Sequence, residues 1–502
     1  MKTITLDGRS LGLDDVRAIL EEEVQLALSP EARRRIRKSR ETIDAALKAG
    51  RVMYGVNTGF GKLSDTRIEP ERIEELQKNL LLSHAAGHGE PMRHPRLLIA
   101  LRANSLAYGN SGVTAGLVER LVEIFNRGVE PVIPEVGSVG ASGDLAPLAE
   151  LGCVMIGEGE AVYRGRRMKS RDALRKARIA PYRFHAKEAL SLVNGTQLMT
   201  AILGEVLVAA ERLLRLADLA GAMSLEALKG SLKPFDARVQ EIRSHPGQAT
   251  VAENFRAVTA DSAVMDSHRN CKKVQDAYCL RCAPQVHGAA RDAVAFATGV
   301  FLREVNAVTD NPLVFDGGDV ISGGNFHGQP VAQAADFVAI ALATLANIAE
   351  RRIDRLTNPD LSELPPFLVK DSGLNSGFMM VQVAAAALAA ECRVDAAAAS
   401  VHSIPTGASK EDHVSMGPIA ARKARRVVEN ATAVVKLEML CAAQGLDFLE
   451  PLKPGLGVDE AHRAVRRQVP HLTRDRYLRG LIAKLDERAV LDAVEKRVGK
   501  LR

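Results

Sequence analysis

The run Gly137-Ser138-Val139-Gly140-Ala141-Ser142-Gly143-Asp144 crowds three glycines and two serines into eight positions. One use of such a loop is to cradle phosphate. The dinucleotide fingerprint needs G-x-G-x-x-G after a strand, whereas these glycines fall at G-x-x-G-x-x-G after a proline-containing loop. Gly61-Lys62 fails as a Walker loop too, with Val56 where a glycine is required and Leu63 where Ser or Thr is. A second use is reaction of the backbone itself. If Ala141-Ser142-Gly143 is bent tightly, the Gly143 nitrogen can attack the Ala141 carbonyl carbon. Loss of water, including the Ser142 hydroxyl, then yields a 4-methylideneimidazol-5-one ring. Small flanking residues are needed because a larger side chain obstructs closure. The plainer alternative is a glycine-rich turn leading into a helix capped by Asp144.

Other side chains with chemical potential are scattered. Arg281 suits a carboxylate, because a guanidinium presents two N–H donors to two oxygens. Tyr278 lies three residues before it and Gln275 three before that, so in a helix the three share one face. An ordinary polar helix face has the same pattern. His84 and His88 have the i, i+4 spacing of zinc ligands, but Ala85-Ala86-Gly87 between them lacks the glutamate of HExxH and Gly87 weakens a helix. Cys279 and Cys282 form a lone C-x-x-C, read as two packed thiols.

These residues need a scaffold, and helical periodicity supplies it. Ser29-Pro30 is a cap followed by a helix-opening proline, which predicts a helix to about Ala49 closed by Gly50. Further helical patterns run near 69–85, 93–107, 114–127, 187–228, 284–306, 328–356, 376–398 and 417–444, with shorter helices over 457–498. Strand patterns are confined to pieces such as 2–6 and 161–164. The expected class is mainly α, a bundle of long helices. Stretches 337–349 and 381–390 read as enclosed on all sides, which requires a large bundle or packing across subunits. The irregular segments 54–64, 134–144, 307–328 and 403–416 are where such a scaffold places its chemistry. With no repeat or linker, residues 1–502 read as one unit: a smaller N-terminal part to about 200 carrying the loop, then helices from about 201 to 502.

Composition narrows the class. The 502 residues are 46% hydrophobic and 25% charged, the balance of a soluble globular protein. Aromatics make up 4% and there is no Trp, while Ala is abundant, favouring close helix packing. The net charge of +6 comes from 67 basic residues set among 61 acidic ones. Basic runs such as Arg33-Arg34-Arg35 are short and lack interleaved aromatics, so no nucleic-acid partner is expected. Six cysteines without framework spacing suit a reducing cytoplasm. The N-terminal run has no apolar signal core, and the charge-free stretches 337–349 and 378–390 are too short to span a bilayer. A cytoplasmic protein with no membrane partner is expected.

The longer string GSVGASGDLAPLAE at 137–150 resembles the signature of the aromatic amino-acid ammonia-lyase and aminomutase family. The likeness covers nearly the whole chain, in family order: YGVNTGFG, LLSHAAG, SLVNGTQ, KVQDAYCLRCAPQVHG, EVNAVTDNPLVF, GGNFHGQP, LNSGFMM and SIPTGASKEDHVSMG. It implies the ammonia-lyase/fumarase-like fold, a 4-methylideneimidazol-5-one formed from Ala141-Ser142-Gly143 with no metal, and a homotetramer whose sites combine residues of several subunits. The chemistry is elimination of ammonia from an aromatic amino acid. Side chains supply no strong electrophile, so the ring must make the poor amine leaving group competent.

By the same resemblance Tyr54 is the base that takes the β-proton, and Gln275, Tyr278 and Arg281 line the site, with Tyr278 among the catalytic residues. Asn194 lies near the ring and substrate, and Phe326 packs near the ring, where core packing is the plain alternative. His84 and Glu411 match the positions that histidine-acting members set against the imidazole, and neither suits an apolar phenyl ring. L-Histidine is therefore the expected substrate. Lys410, His402, Gly407, His88 and Glu391-Cys392-Arg393 depart from the pattern of those members, and Lys410 would set a cation beside Glu411. An aminomutase, or a lyase acting on tyrosine or phenylalanine, shares the loop. A non-enzymatic helical assembly protein would explain the Ala-rich helices but not the co-occurrence of Tyr54, Ala-Ser-Gly and Arg281.

Overall fold

The computed structural model describes residues 2–271 and 273–502. Long helices dominate, and the chain divides into two compact units. The first comprises Met1–Val208, Thr298–Asp336 and Ala398–Arg422; the second comprises Ala209–Ala297, Phe337–Ala397 and Lys423–Arg502. This differs from the expected cut near residue 200, because two later segments return to the first unit. Sequence shows no linker there, since four of the five boundaries fall inside the helices Gln197–Ala227, Ala283–Glu304, Gln329–Thr357 and Gly417–Asp447.

In the first unit, strand Lys2–Leu6 pairs in parallel with Val24–Leu28 across the helix Leu13–Glu21. Ser29 caps the helix Pro30–Lys48, its hydroxyl accepting from Ala32 N–H at 3.0 Å. Helix Pro95–Ala107 is buried at every position but Arg96. Strands His88–Pro91 and Pro134–Val136 pair antiparallel, tying the start of the glycine-serine loop to the chain leaving the helix Ile73–His84. His84 closes that helix and His88 lies in the strand, so the two do not share a helix face.

The periodicity that predicts one helix across 187–228 is interrupted. Helix Glu188–Val193 stops at Asn194-Gly195-Thr196, and a second helix begins at Gln197. Asn-Gly is a turn pair, and buried charge holds this turn from beneath. Lys187 Nζ donates to Asp310 at 2.9 Å and to Ser191 Oγ at 2.8 Å, with both members of the ion pair fully buried. Arg102, also buried, donates to Gln197 Oε1 at 2.9 Å and to the Ser191 carbonyl.

The second unit has its own buried ionic core. Arg352 forms two hydrogen bonds to Glu438, and Asp218 accepts from His287 Nδ1 at 2.8 Å and from Asn254 at 2.8 Å. This chain alone covers stretch 381–390 only in part: within it Val381, Ala385 and Ala389 are buried, at helical i, i+4 spacing, and Val383 is exposed. Phe337 and Ile340 are likewise each 46% exposed, so the chain by itself leaves part of 337–349 uncovered too. Among the described residues one helix, Gln329–Thr357, is long and apolar enough to cross a membrane, but 72% of its most apolar window is buried within the chain.

Removing one partner of a buried pair strands the other charge. Lys187→Met is therefore expected to destabilise the first unit by about 3–5 kcal/mol, seen as a lowered thermal midpoint, and Asp310→Leu added to it should recover most of the loss.

Candidate functional site

The loop 137–144 ends where the helix Leu145–Met155 begins, and it lies against the Asn194-Gly195-Thr196 turn. Asp144 N–H donates to the Gly195 carbonyl at 2.6 Å. Gly143 sits at φ +77°, and a Cβ there would lie 2.2 Å from the Gly195 oxygen, so only glycine fits. From the other side, Met416 N–H donates to the Val139 carbonyl at 2.8 Å and Ser415 Oγ to the Gly140 carbonyl at 3.0 Å. Ala-Ser-Gly is thus held in a bend from both sides, with the backbone of Gly195 standing against Gly143.

Asp144 occupies the cap position but does not cap its own helix. Its carboxyl accepts instead from Ser138 Oγ at 2.9 Å and from Met199 N–H at 3.0 Å, in the first turn of the helix Gln197–Ala227. Burial pushes its pKa up to about 7, against the lowering effect of these donors and with Glu304 nearby adding to the rise. Two helix N-termini therefore converge on the loop, and both favour negative charge.

A cavity of about 1130 Å³ opens over this bend. Tyr54, His84, Ala141, Ser142, Asn194, Phe326 and Glu411 all line it, gathered from segments up to 357 residues apart (411 less 54). Asn194, 3% exposed, donates from Nδ2 to the Ser142 carbonyl at 2.6 Å. Ser142 Oγ donates to Glu411 Oε1 at 2.6 Å. Phe326 is half-buried on the wall rather than packed in the core. Tyr54 accepts at its phenol oxygen from Gly61 N–H at 3.4 Å. Its loop is braced by Asn57, which accepts from Met53 N–H at 2.8 Å and donates to the Arg51 carbonyl at 2.9 Å.

His84 Nδ1 lies 2.9 Å from the Leu80 carbonyl. The Ser83 hydroxyl lies 3.0 Å from the same nitrogen; the tautomer in which Nδ1–H donates to the Leu80 carbonyl, which can only accept, leaves Nε2 as an acceptor. Burial lowers the His84 pKa, against the Leu80 bond and the nearby Glu411 charge, which favours the neutral ring. Glu411 Oε2 accepts from Thr406 Oγ1 at 2.6 Å, and the two residues also pair through their backbones. Among the described residues Glu411 has no ion pair: Lys410 is exposed, and the two carboxylate oxygens go to hydroxyls. At Gly407, φ is +56° and a Cβ would stand 3.0 Å from Glu411 Oε2, so this departure gives the carboxylate room.

Gln275, Tyr278 and Arg281 lie in the second unit, outside the lining of this cavity. They do not form one helix face: the helical turn is only Tyr278–Arg281, and Gln275 precedes it in irregular chain. Tyr278 is 75% exposed, and Gln275 lines a separate cavity of about 560 Å³. Thr406 was not expected in the site, and nothing in its local sequence marks it; the Asn194 break was signalled by Asn-Gly. Ala141-Ser142-Gly143 fits a cyclised ring: a flank only glycine can occupy, a donor on the Ser142 carbonyl and an acceptor on its hydroxyl.

The sequence profile of the family described as aromatic amino acid lyase matches residues 11–467. A protein named histidine ammonia-lyase from Anaeromyxobacter sp. (strain K) is 53% identical over 490 residues, covering 95% of this chain and 96% of the relative. Histidine ammonia-lyase from Trypanosoma cruzi superposes with a TM-score of 0.91 at 42% identity, covering 99% of this chain and 95% of that one. Tyrosine aminomutase from Streptomyces globisporus superposes with a TM-score of 0.95 at 37% identity, covering 100% of both chains.

The raised Asp144 pKa has a consequence for stability. Between its ordinary value of 3.8 and about 7 the unfolded chain releases this proton while the folded chain keeps it. Its stabilising contribution is therefore full below 3.8 and is lost as pH rises to about 7. Asp144→Asn should flatten this part of the decline in a pH series of thermal midpoints.

Proposed function

Because the chain belongs to the aromatic amino acid lyase family, we propose that it eliminates ammonia from L-histidine to give trans-urocanate, using a 4-methylideneimidazol-5-one made from Ala141-Ser142-Gly143. The observation that carries the substrate is the facing pair in the cavity, bare His84 Nε2 and the Glu411 carboxylate. A protonated imidazole donates from both of its nitrogens, one to each acceptor. A phenol has a single donor and a phenyl ring none, and a polar site left unpaired rejects such analogues. This favours histidine over tyrosine and phenylalanine.

When formed, the ring supplies an electrophilic methylidene carbon that lets the substrate amine depart. The chain's own residues do the rest. Asn194 holds the Ser142 carbonyl in place from its buried turn. Tyr54, on the braced loop across the cavity, takes the β-proton, and Phe326 walls the site against water. Arg281 binds the substrate carboxylate bidentately, with Gln275 and Tyr278 beside it.

We further propose that these three residues complete the site within a cytoplasmic homotetramer. Exposed apolar side chains of the second unit support this: Phe337 and Ile340 on one helix and Met380 and Val383 on another face water unless another copy covers them.

Ser142→Ala is expected to lower urocanate formation by at least about 10³-fold, since no side chain replaces the electrophile, with the far-ultraviolet helical signal unchanged. Retained activity would overturn the proposal. His84→Leu, which removes one acceptor, should lower kcat/KM for histidine by roughly tenfold to a hundredfold; an unchanged value would remove His84 from imidazole recognition.

A further inference from the structure

Ser142 is gripped at both ends in the uncyclised chain. Asn194 Nδ2 donates to its carbonyl at 2.6 Å and Glu411 Oε1 accepts from its hydroxyl at 2.6 Å. A carboxylate whose sole task were to meet a substrate imidazole need not touch the serine that is to be dehydrated. We propose that Glu411 also matures the prosthetic ring, carrying the proton from Ser142 Cα to Ser142 Oγ as the hydroxyl leaves. This rests on the reading that Ala141-Ser142-Gly143 cyclises, and it assigns the dehydration step to a named side chain.

The steps balance without oxidant or reductant. The Gly143 nitrogen bonds to the Ala141 carbonyl carbon and its proton moves to the carbonyl oxygen. That oxygen departs as water with the Ser142 amide proton, leaving a carbon–nitrogen double bond. Ser142 Cα then stands between this bond and its own carbonyl, which acidifies its hydrogen. As the Cα–H bond breaks, charge flows onto the Ser142 carbonyl oxygen, where the Asn194 N–H stabilises it as an oxyanion donor does. Glu411 takes that proton and returns it to Oγ; the Cβ–Oγ bond breaks, water leaves, and Glu411 is again a carboxylate.

The surroundings of Glu411 suit the task. Thr406 Oγ1 fixes Oε2 at 2.6 Å, leaving Oε1 for Ser142. The intervening turn runs through Gly407, Ala408 and Ser409 at φ +56°, +54° and +60°. The last two carry a left-handed conformation that residues other than glycine rarely adopt. The strained turn and its Thr406 brace hold the carboxylate against the hydroxyl before any substrate arrives.

The test is the mass of the tryptic peptide 128–164 from freshly synthesised full-length chain, followed over time in wild type, Glu411→Gln, Glu411→Ala and Thr406→Val. Wild type is expected to lose two waters. Both Glu411 variants should stop at one, the ring closed but the Ser142 hydroxyl retained, with the second loss about a hundredfold slower, a general acid–base effect. Thr406→Val should accumulate the one-water species before completing. Loss of two waters at the wild-type rate in Glu411→Gln would overturn the proposal while leaving the ring reading intact. A wild-type peptide of unaltered mass would sink both. If the Glu411 variants fail to fold by size-exclusion chromatography, Thr406→Val decides: a one-water species supports the role, and wild-type kinetics overturns it.

Discussion

Everything at this site depends on the close approach of two backbone turns, Gly143 against Gly195. The contact leaves no space for a side chain on either: a Cβ on Gly195 would stand 2.2 Å from Arg102 Nη1, and one on Gly143 2.2 Å from the Gly195 oxygen. Support runs inward from the buried helix Pro95–Ala107. Its Arg102 backs the turn, and the turn in turn accepts from Asp144 N–H and presents Asn194 to the Ser142 carbonyl. A buried guanidinium is costly unless its donors are met; Nη1 and Nη2 here go to Gln197, Thr309 and the Ser191 carbonyl that shape this turn, while Nε has no partner among the described residues. Stability and function use the same polar groups, so loosening the cluster loosens the bend.

The opposite wall is built differently. Segment 403–417 contributes no long helix to the cavity, only a strained turn tied down at both ends. Thr406 and Glu411 pair through backbone and side chain, and Ser415 and Met416 clasp the loop 137–144 through the carbonyls of Gly140 and Val139. Strain of this kind persists only where the surroundings over-determine it. The result is a carboxylate in a fixed place, facing both Ser142 and the cavity in which His84 presents its bare nitrogen.

The sequence was most legible where small residues recur at a spacing that chemistry requires. Gly143 beside Ser142 announced a bend, and Ser29-Pro30 announced a helix start that the Ser29 cap bears out. Periodicity found the long helices but ran through Asn194, because an apolar pattern continues on both sides of the break and the Asn-Gly pair between is only two residues long. For 381–390 apolar composition tells that a face avoids water, not whether this chain or another copy covers it. The two units were invisible for a related reason, four of their five boundaries lying inside helices. Thr406 and the Asp144–Met199 bond were beyond reach, because each joins residues whose proximity exists only in the fold. Gln275, Tyr278 and Arg281 were read as one helical face, and Gln275 lies outside the helical turn that follows it.

The central claim is that a cavity built around Ala141-Ser142-Gly143, with His84 and Glu411 as paired acceptors, selects an imidazole and releases its amine. It is tested most directly by offering purified full-length protein L-histidine, L-tyrosine and L-phenylalanine in parallel and following the ultraviolet absorbance of the unsaturated acid each would yield. The account predicts growth of the urocanate band with histidine and no product from the other two. An equal or greater yield from tyrosine or phenylalanine, or no product from histidine, would contradict it.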